Sequence, residues 1–178
     1  MTKWSGHGLR GSVLEEMVNY TNDEYRMKKL ALIQKIPTPI TPVEIDQATR
    51  HITLAYFDQR STVDYIGSVQ GIPVCFDAKE CVNDTFPLAN VHEHQIAFMN
   101  EWELQEGVAF LLVYFTSRNE AYYLTLRNFM EFYKRMKNGG RKSFRIEELD
   151  PAYRIDVNNG VYVHYLEGLQ RDLSERNH

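Results

Sequence analysis

The spacing of apolar residues along the chain predicts four helices and six strands. The first three helices are predicted at residues 12–29, 90–107 and 127–137, and the fourth is predicted to begin at Asn158 or Asn159. The strands are predicted at residues 30–36, 51–57, 62–68, 72–77, 108–115 and 121–126. Strands and helices that follow one another in this way indicate an α/β layered domain with a mixed sheet.

Short local motifs mark where several of these elements begin. Ser12 with Glu15 three residues later forms a capping box for the first helix, and Asn90 with Glu93 is predicted to open the second. The sequence VAFLLVYF at residues 108–115 is apolar throughout, which is typical of a central strand covered on both faces. The fourth helix is predicted from four apolar residues at helical intervals: Val161, Tyr165, Leu169 and Leu173.

Residues 37–42, PTPITP, carry three prolines and interrupt the strand pattern. Proline lacks the backbone N–H that helices and central strands need, and its ring fixes φ. We therefore expect this segment to be extended and to project from the core. Taken by itself, the segment also fits a stiff connector.

Composition places the chain among globular proteins with a single domain. Its 178 residues are 43% hydrophobic and 25% charged, which suits one core of ordinary size. The two cysteines are too few for a disulfide framework and match no zinc motif, so we expect free thiols. Because there is no apolar run of membrane length and no apolar leader, we expect a cytoplasmic protein without a membrane partner.

The net charge of −4 argues weakly against a nucleic-acid partner, but the basic residues are unevenly distributed. Residues 132–146 carry six lysines and arginines and no acidic residue. A second cluster near the start of the chain contains Arg26, Lys28, Lys29 and Lys35. Each cluster fits either a solvated surface or a set of phosphate contacts.

Two aspartates and a lysine stand among residues that otherwise read as apolar strands. Asp77 and Lys79 end one strand and, being two residues apart, point to the same face. If Asp64 on the preceding strand projects from that face, two carboxylates converge beside an ammonium group. This is the composition of a hard-cation site, because Mg²⁺ is usually held by one or two carboxylates. A solvated ion pair on a surface hairpin is the simpler alternative.

Several sequence blocks resemble the RecU-type Holliday junction resolvases of Gram-positive bacteria and their phages. Val63-Asp64 followed by Asp77-Ala78-Lys79 resembles the P-D…(D/E)-x-K signature of the restriction-endonuclease-like nuclease fold, with Val63 in the place of the proline. The other matching blocks, in order over about residues 8–145, are Arg10-Gly11, Leu14-Glu15, Thr21-Asn22, Lys35-x-Pro-Thr-Pro, Ala55-Tyr56-Phe57, Ser61 to Tyr65, Glu80 after Lys79, Phe86-Pro87-Leu88 and His94-Gln95.

The resemblance implies a restriction-endonuclease-like fold, in which a mixed β-sheet is flanked by helices. It implies a single nuclease domain spanning residues 1–178, with a protruding proline-rich stalk inserted at about residues 37–55. Compared with the family, the tail ahead of Arg10 is short, and the stalk contains Glu44 and Asp46 and few basic residues.

The resemblance also implies which residues carry the chemistry. Asp64 and Asp77 are expected to bind Mg²⁺, with Mn²⁺ as an alternative, and Thr62 and Gln95 to complete the metal site. Lys79 is expected to stabilise the transition state. From the residues alone, Thr62 shares a strand face with Asp64, and Gln95 fits equally well as a buried amide bonded to the backbone.

Finally, the resemblance implies how DNA is bound and cut. The expected phosphate contacts are Arg10, Lys28, Lys29, Lys35 and Arg50. The expected substrate is a four-way DNA junction, the expected assembly is a homodimer, and a recombinase is a further expected partner. The function so implied is Mg²⁺-dependent, structure-selective endonuclease cleavage that resolves Holliday junctions by symmetric nicking in recombination and repair.

Two other functions are left open by the sequence. One is a nuclease of the same fold that acts on other branched or duplex DNA, and the other is a non-catalytic junction-binding or recombinase-modulating protein. The intact acid–acid–lysine set favours catalysis over pure binding. His92 and His94 suggest zinc, but two residues apart on a helix their rings diverge, which favours a structural or surface role.

Overall fold

The computed structural model describes residues 12–57, 62–158 and 162–176 and contains four helices and twelve strands within those ranges. The helices are α1 (Val13–Met27), α2 (Glu93–Leu104), α3 (Leu126–Lys137) and α4 (Leu166–Arg176). The strands are β1 (Leu32–Lys35), β2 (Ile40–Asp46), β3 (His51–Phe57), β4 (Tyr65–Val69), β5 (Ile72–Cys81), β6 (Thr85–Pro87), β7 (Val108–Phe115), β8 (Glu120–Thr125), β9 (Ser143–Arg145), β10 (Arg154–Ile155), β11 (Val157–Asn158) and β12 (Tyr162–Val163).

Six strands form one mixed sheet in the order β1-β4-β5-β7-β8-β10. Strands β5 and β7 are parallel, and the other neighbouring pairs are antiparallel. A parallel pair needs a crossover, and α2 supplies it, so α2 starts at the end of the sheet where β5 finishes. Strand β8 is antiparallel to β7. Helix α3 follows β8, and its last turn contacts the start of α2 through Lys137 and Glu93.

Helices cover both faces of this sheet and give the molecule three layers. Helices α1 and α4 pack on one face through residues such as Leu14, Met17 and Leu169. Helices α2 and α3 pack on the other face through residues such as Met99 and Phe129. The predicted α/β fold, with a mixed sheet flanked by helices, is confirmed.

Strand β5 contributes to both faces because its side chains alternate. Phe76 faces the α1–α4 layer and stacks on Phe110 of β7, with ring centroids 4.7 Å apart. Cys75 faces the α2–α3 layer, and by the two-residue period of a strand Asp77 and Lys79 face that layer as well. The acid and the lysine are therefore directed beneath α2 rather than towards a solvated face.

Strands β2 and β3 form a separate two-stranded hairpin. Their pairing shifts register next to Pro42, where the missing N–H is tolerated because the strand lies at an edge. Every side chain of the two strands is exposed except the half-buried Thr41, and Ile45 and Ile52 lie opposite each other in solvent. Residues 40–42 belong to β2, so the predicted extended conformation is confirmed there.

The predicted start of the second helix is wrong. Helix α2 begins at Glu93 with His92 as its N-cap, and Asn90 belongs to a preceding 3₁₀ turn, Leu88–Asn90. The side chain of Gln95 accepts a hydrogen bond from the His92 N–H at 3.1 Å, which is one half of a capping box.

The predicted start of the fourth helix is also wrong. Helix α4 begins at Leu166, and the described residues before it form the β11–β12 hairpin, while Asn159 and Val161 lie outside the described ranges. Contacts with α1 fix this segment: the Val163 N–H donates to Thr21 Oγ1 at 2.9 Å. These long-range bonds override the helical spacing of the apolar residues.

Both cysteines are buried and free, as predicted. Within residues 12–57, 62–158 and 162–176, no helix combines the length and the apolar character needed to cross a membrane.

Candidate active site

Strand β5 and the segment before β4 bring three charged side chains together. Asp77 is fully buried, and its Oδ2 lies 2.7 Å from Nζ of Lys79, whose side chain is 19% exposed. The N–H of Asp64 donates to Asp77 Oδ1 at 2.8 Å, and the N–H of Ala78 donates to Asp64 Oδ2 at 2.9 Å. The predicted convergence of two acids and one lysine is confirmed.

Asp64 reaches this site from a bend rather than from a strand. Strand β4 starts one residue later, so the predicted strand at residues 62–68 is wrong at its beginning. The carbonyl of Asp64 accepts a hydrogen bond from the Ile36 N–H at 2.8 Å, which fixes the bend against the end of β1. Thr62 is half-buried in the same irregular segment, so the strand-face argument for Thr62 is wrong, and its place in a metal site stays a prediction.

Burial and charge repulsion control the ionisation of Asp64. Burial first, and the nearby carboxyl of Asp77 second, raise the pKa of Asp64 to about 6, while the Ala78 N–H and the Lys79 ammonium oppose this rise. Each carboxylate accepts a hydrogen bond from the backbone beside the other: Asp77 Oδ1 from the Asp64 N–H, and Asp64 Oδ2 from the Ala78 N–H. Two carboxylates at this separation repel, and a cation bound between them relieves the repulsion.

Gln95 connects the site to the N-terminus of α2. Its Nε2 donates to Asp77 Oδ2 at 2.7 Å, and its Oε1 accepts from the backbone N–H of His92. The side chain is buried, so the amide is bonded to the backbone and lies against the acid at the same time. Because the amino group faces the carboxylate, Gln95 in this arrangement orients Asp77. Direct metal ligation by Gln95 stays a prediction.

The donor set at this site is chemically suited to a hard divalent cation. Across residues 12–57, 62–158 and 162–176, no cluster of three or more His, Cys, Asp or Glu side chains is placed to hold a metal. Mg²⁺, however, is commonly held by one or two carboxylates and takes its other ligands from water and substrate phosphate. Asp64 and Asp77 supply that number of carboxylates, and each is bonded to the backbone beside the other.

One of the predicted DNA contacts lies beside the site. Lys35 ends β1, next to the residue that binds the Asp64 carbonyl, and its Nζ lies 2.6 Å from Glu15 Oε2 in the first turn of α1. Arg10 lies outside the described residues. Of the four predicted contacts within the described residues, Lys35 therefore lies beside Asp64 through the pairing of β1 with β4.

The other predicted contacts within the described residues lie in other parts of the fold. Lys28 and Lys29 follow the opposite end of α1, about 20 Å from Glu15 by helical rise. Lys28 is exposed and pairs with Glu24 at 3.1 Å. Arg50 lies in the turn between the strands of the β2–β3 hairpin, with φ of 57°. A DNA-contact role for these residues stays a prediction.

The two histidines at the start of α2 do not diverge as predicted. His92 is the N-cap and therefore precedes the helix, and its ring stacks on that of His94 with centroids 5.5 Å apart. No zinc cluster is formed by the residues that the structure describes.

Glu80 has a structural role that the sequence pattern did not predict. It follows Lys79 on β5 but faces the other layer, where its Oε1 accepts a hydrogen bond from the Leu14 N–H at 2.5 Å. That N–H is one of the backbone donors left without a helical partner at the start of α1, and a negative charge there is favourable. Strand β5 therefore binds the start of α1 on one face and carries the acidic site on the other.

Known proteins share this sequence over most of its length. A family model described as RecU: Recombination protein U matches residues 9–171. The Holliday junction resolvase RecU of Geobacillus sp. (strain WCH70) is 41% identical over 148 residues, which cover 81% of this chain and 74% of the relative. The protein of that name from Pediococcus pentosaceus is 36% identical over 170 residues, 93% of this chain and 85% of the relative. The Holliday junction resolvase RecU of Lactococcus lactis subsp. lactis is 41% identical over 165 residues, which cover 90% of this chain and 76% of the relative. The chain therefore belongs to the RecU family.

Proposed function

We propose that the protein is a metal-dependent endonuclease that resolves four-way DNA junctions in recombination. The relatives named Holliday junction resolvase RecU, at 36% to 41% identity, support this reaction. The observation that carries the proposal is the contact between Asp64 and Asp77 beside Lys79. A protein that only binds DNA gains nothing from a buried carboxylate beside a half-buried one, because both repel phosphate.

The residues of the site have separate tasks in this proposal. Asp64 and Asp77 hold Mg²⁺, or Mn²⁺ as an alternative, which when bound polarises a phosphoryl oxygen and lowers the pKa of a coordinated water. Gln95 keeps Asp77 in place through its 2.7 Å hydrogen bond. Lys79, at the partly exposed rim of the site, donates hydrogen bonds to the phosphoryl oxygen on which negative charge develops.

The reaction is hydrolysis of a phosphodiester. The oxygen of water forms a bond to phosphorus, the bond between phosphorus and one sugar oxygen breaks, and that sugar oxygen takes up a proton. Lys79 is the described cation nearest to Asp77, so it is also the group that offsets the extra negative charge of the five-coordinate phosphorus.

The assembly in this proposal is a homodimer that acts in the cytoplasm, where it meets DNA and a recombinase. Two copies place two sites on one junction, which symmetric nicking requires. The single domain carries its proposed stalk at about residues 37–55, which includes β2 and most of β3. The stalk presents exposed apolar side chains such as Ile45 and Leu54, which suit apolar contact with unstacked bases at a junction centre.

Cleavage of a synthetic four-way junction, with a linear duplex of the same arm sequence as competitor, tests this function. The wild-type protein is expected to cut the junction in Mg²⁺ and not in chelator. Asp64→Asn is expected to slow cleavage by about three powers of ten or more while junction binding survives, because it removes a metal ligand but no positive charge. Asp23→Asn, at an exposed position on α1, is the matched control and is expected to cut normally.

The other outcomes separate the alternatives. Cleavage of neither DNA by a protein that still binds junctions would identify a binder, and equal cleavage of junction and duplex would identify a general nuclease. Light scattering of the free protein measures the assembly, and a monomer on the junction would contradict the dimer.

A further inference from the structure

Helix α3 and the loop after it carry four exposed cations that the proposed reaction does not use. These residues, the α3 basic surface, are Lys134, Lys137, Arg141 and Lys142. The chain as a whole has a net charge of −4, so this surface is basic although the protein is acidic overall. A basic surface of this kind is the electrostatic signature of an anionic partner.

The α3 basic surface adjoins the proposed active site through the first turn of α2. Lys137 Nζ lies 3.2 Å from Glu93 Oε1, and Gln95, two residues further along the chain, donates to Asp77. One turn of helix rises about 5 Å, so the surface begins close to the proposed cleavage point. The carbonyl of Lys142 accepts a hydrogen bond from the backbone before α2, at 3.1 Å, which holds the loop against the same region.

Two of the four cations have no acidic partner within the described part of the chain. Arg141 pairs with Glu148 at 3.1 Å, whereas Lys134 and Lys142 form no ion pair with another described residue. Cations in the last turn of a helix also offset the helix dipole, and this partly explains why a positive charge is found at Lys134. Lys142 lies beyond the end of α3, so the dipole does not account for its charge.

Glu93 contacts Lys137 in the way that a backbone phosphate would. Its Oε1 accepts hydrogen bonds from Lys137 Nζ and from Tyr133 Oη, each at 3.2 Å. The ammonium of Lys137 also lies 5.1 Å above the centre of the Tyr133 ring. The side chain of Glu93 is 80% exposed, and exposed ion pairs contribute little free energy, so an arriving phosphate can displace this carboxylate readily.

We infer that the α3 basic surface binds the backbone phosphates of a DNA duplex leading away from the active site, and that Glu93 competes with one phosphate for Lys137. The inference rests on the proposed function, because the duplex is taken to be an arm of the junction. Phosphate contacts fix orientation and carry no base information. This surface therefore adds affinity and salt dependence without a sequence preference.

The first experiment measures the affinity for duplex and junction DNA in chelator across a series of salt concentrations. The double variant Lys134→Gln/Lys142→Gln is expected to reduce the slope of log affinity against log salt by about 2, since each lost phosphate contact contributes about 0.9. The matched control is Arg154→Gln/Arg171→Gln, which removes two exposed cations near the α4 side of the molecule. An unchanged slope in the first variant, or an equal loss in the control, overturns the inference.

The second experiment tests the competition with variants of opposite expected sign. Glu93→Gln is expected to strengthen DNA binding about threefold, the size of an exposed ion pair, and Lys137→Gln to weaken it. Combining the two changes is expected to give no more affinity than Lys137→Gln alone. Equal or weaker binding by Glu93→Gln, with thermal melting showing a folded protein, contradicts the competition.

Failure of this inference and failure of the proposed function give different results. Binding in chelator does not depend on cleavage, so a protein that shows the expected salt slopes but never cuts a junction in Mg²⁺ would end the proposed function and keep this surface. If the protein cuts junctions but the variants leave the salt slopes unchanged, the proposed function is kept and this inference is overturned.

Discussion

In the candidate active site one charged side chain is fully buried and two are half-buried, and they contact one another, whereas in the β2–β3 hairpin the apolar side chains are exposed. Asp77 bonds to the Asp64 N–H, to Gln95 and to Lys79. The hairpin is held by the pairing of its own two strands, and its side chains add almost no burial. A two-stranded hairpin alone is marginally stable in water. The comparison shows that packing in the core fixes the positions of the charged side chains, while the hairpin carries apolar side chains that the described residues leave uncovered.

Burial makes the active site sensitive to the loss of any one group. Removing one member of a buried ion pair costs about 3–5 kcal/mol, because the remaining charge is left without compensation. The strands of the exposed hairpin contain no buried ion pair, so single substitutions there should change the free energy of unfolding little. The following predictions sharpen this contrast, beginning with the largest effect.

Lys79→Ala is expected to slow junction cleavage about 10²- to 10³-fold, the usual cost of removing one group that stabilises developing charge. Asp77 also loses its charge partner, so the thermal midpoint should fall. Single-turnover cleavage at saturating DNA measures the rate. The control is Arg171→Ala, which removes an exposed cation of α4 and is expected to leave that rate unchanged. A rate near wild type for Lys79→Ala would remove Lys79 from the mechanism.

Gln95→Ala is expected to lower activity about 10- to 100-fold, as is typical when a residue that orients a metal ligand is lost. Gln95→Glu distinguishes orientation from direct ligation. Because the Gln95 amino group faces Asp77, the added carboxylate should repel that acid and be at least as damaging as Gln95→Ala. Mg²⁺ titration of cleavage provides the measurement. Tighter Mg²⁺ dependence in Gln95→Glu would instead favour ligation through the side-chain oxygen.

The smallest effect is expected in the hairpin. Ile45→Thr and Ile52→Thr should each change the free energy of unfolding by about 0.5 kcal/mol or less, because both side chains are exposed. Val113→Thr on β7, where the side chain is fully buried, should cost about 1–3 kcal/mol for the unbonded hydroxyl. Denaturant unfolding at low protein concentration compares them. A large loss at Ile45 or Ile52 would show that a partner copy covers the hairpin.

Elements whose signal lies in their own residues are predictable from the sequence. Strands β3 and β7 have their predicted bounds, and Ser12 caps α1 as expected, with its side chain accepting from the Glu15 N–H. In each case the signal lies within the element itself. The VAFLLVYF run of β7 is covered on both faces, as its uninterrupted apolar sequence predicted.

The misplaced helix starts depend on contacts between distant residues. Helix α4 begins late because Val163 bonds to Thr21, 142 residues earlier in the chain. Helix α2 begins at Glu93 because His92 and Gln95 form its cap. Histidine is an uncommon N-cap, whereas asparagine is a common one, so the sequence favoured Asn90 as the start. Periodicity within one segment carries no information about such partners.

The same distinction applies to the candidate site. The shared face of Asp77 and Lys79 follows from strand alternation, so it was predictable. The position of Asp64 was not, because it depends on backbone bonds to Ile36 and Ala78 that hold a bend in place. The bond from Gln95 to Asp77 required knowledge of how α2 packs on β5.

The alternation along β5 restricts how the length of this strand can vary during evolution. A single inserted or deleted residue would reverse the faces, placing an aromatic ring in the acidic site and a carboxylate beside Phe110, and it would detach Glu80 from α1. Substitutions at individual positions leave this assignment intact. Length variation among descendants of this protein should therefore be confined to the turns on either side of β5.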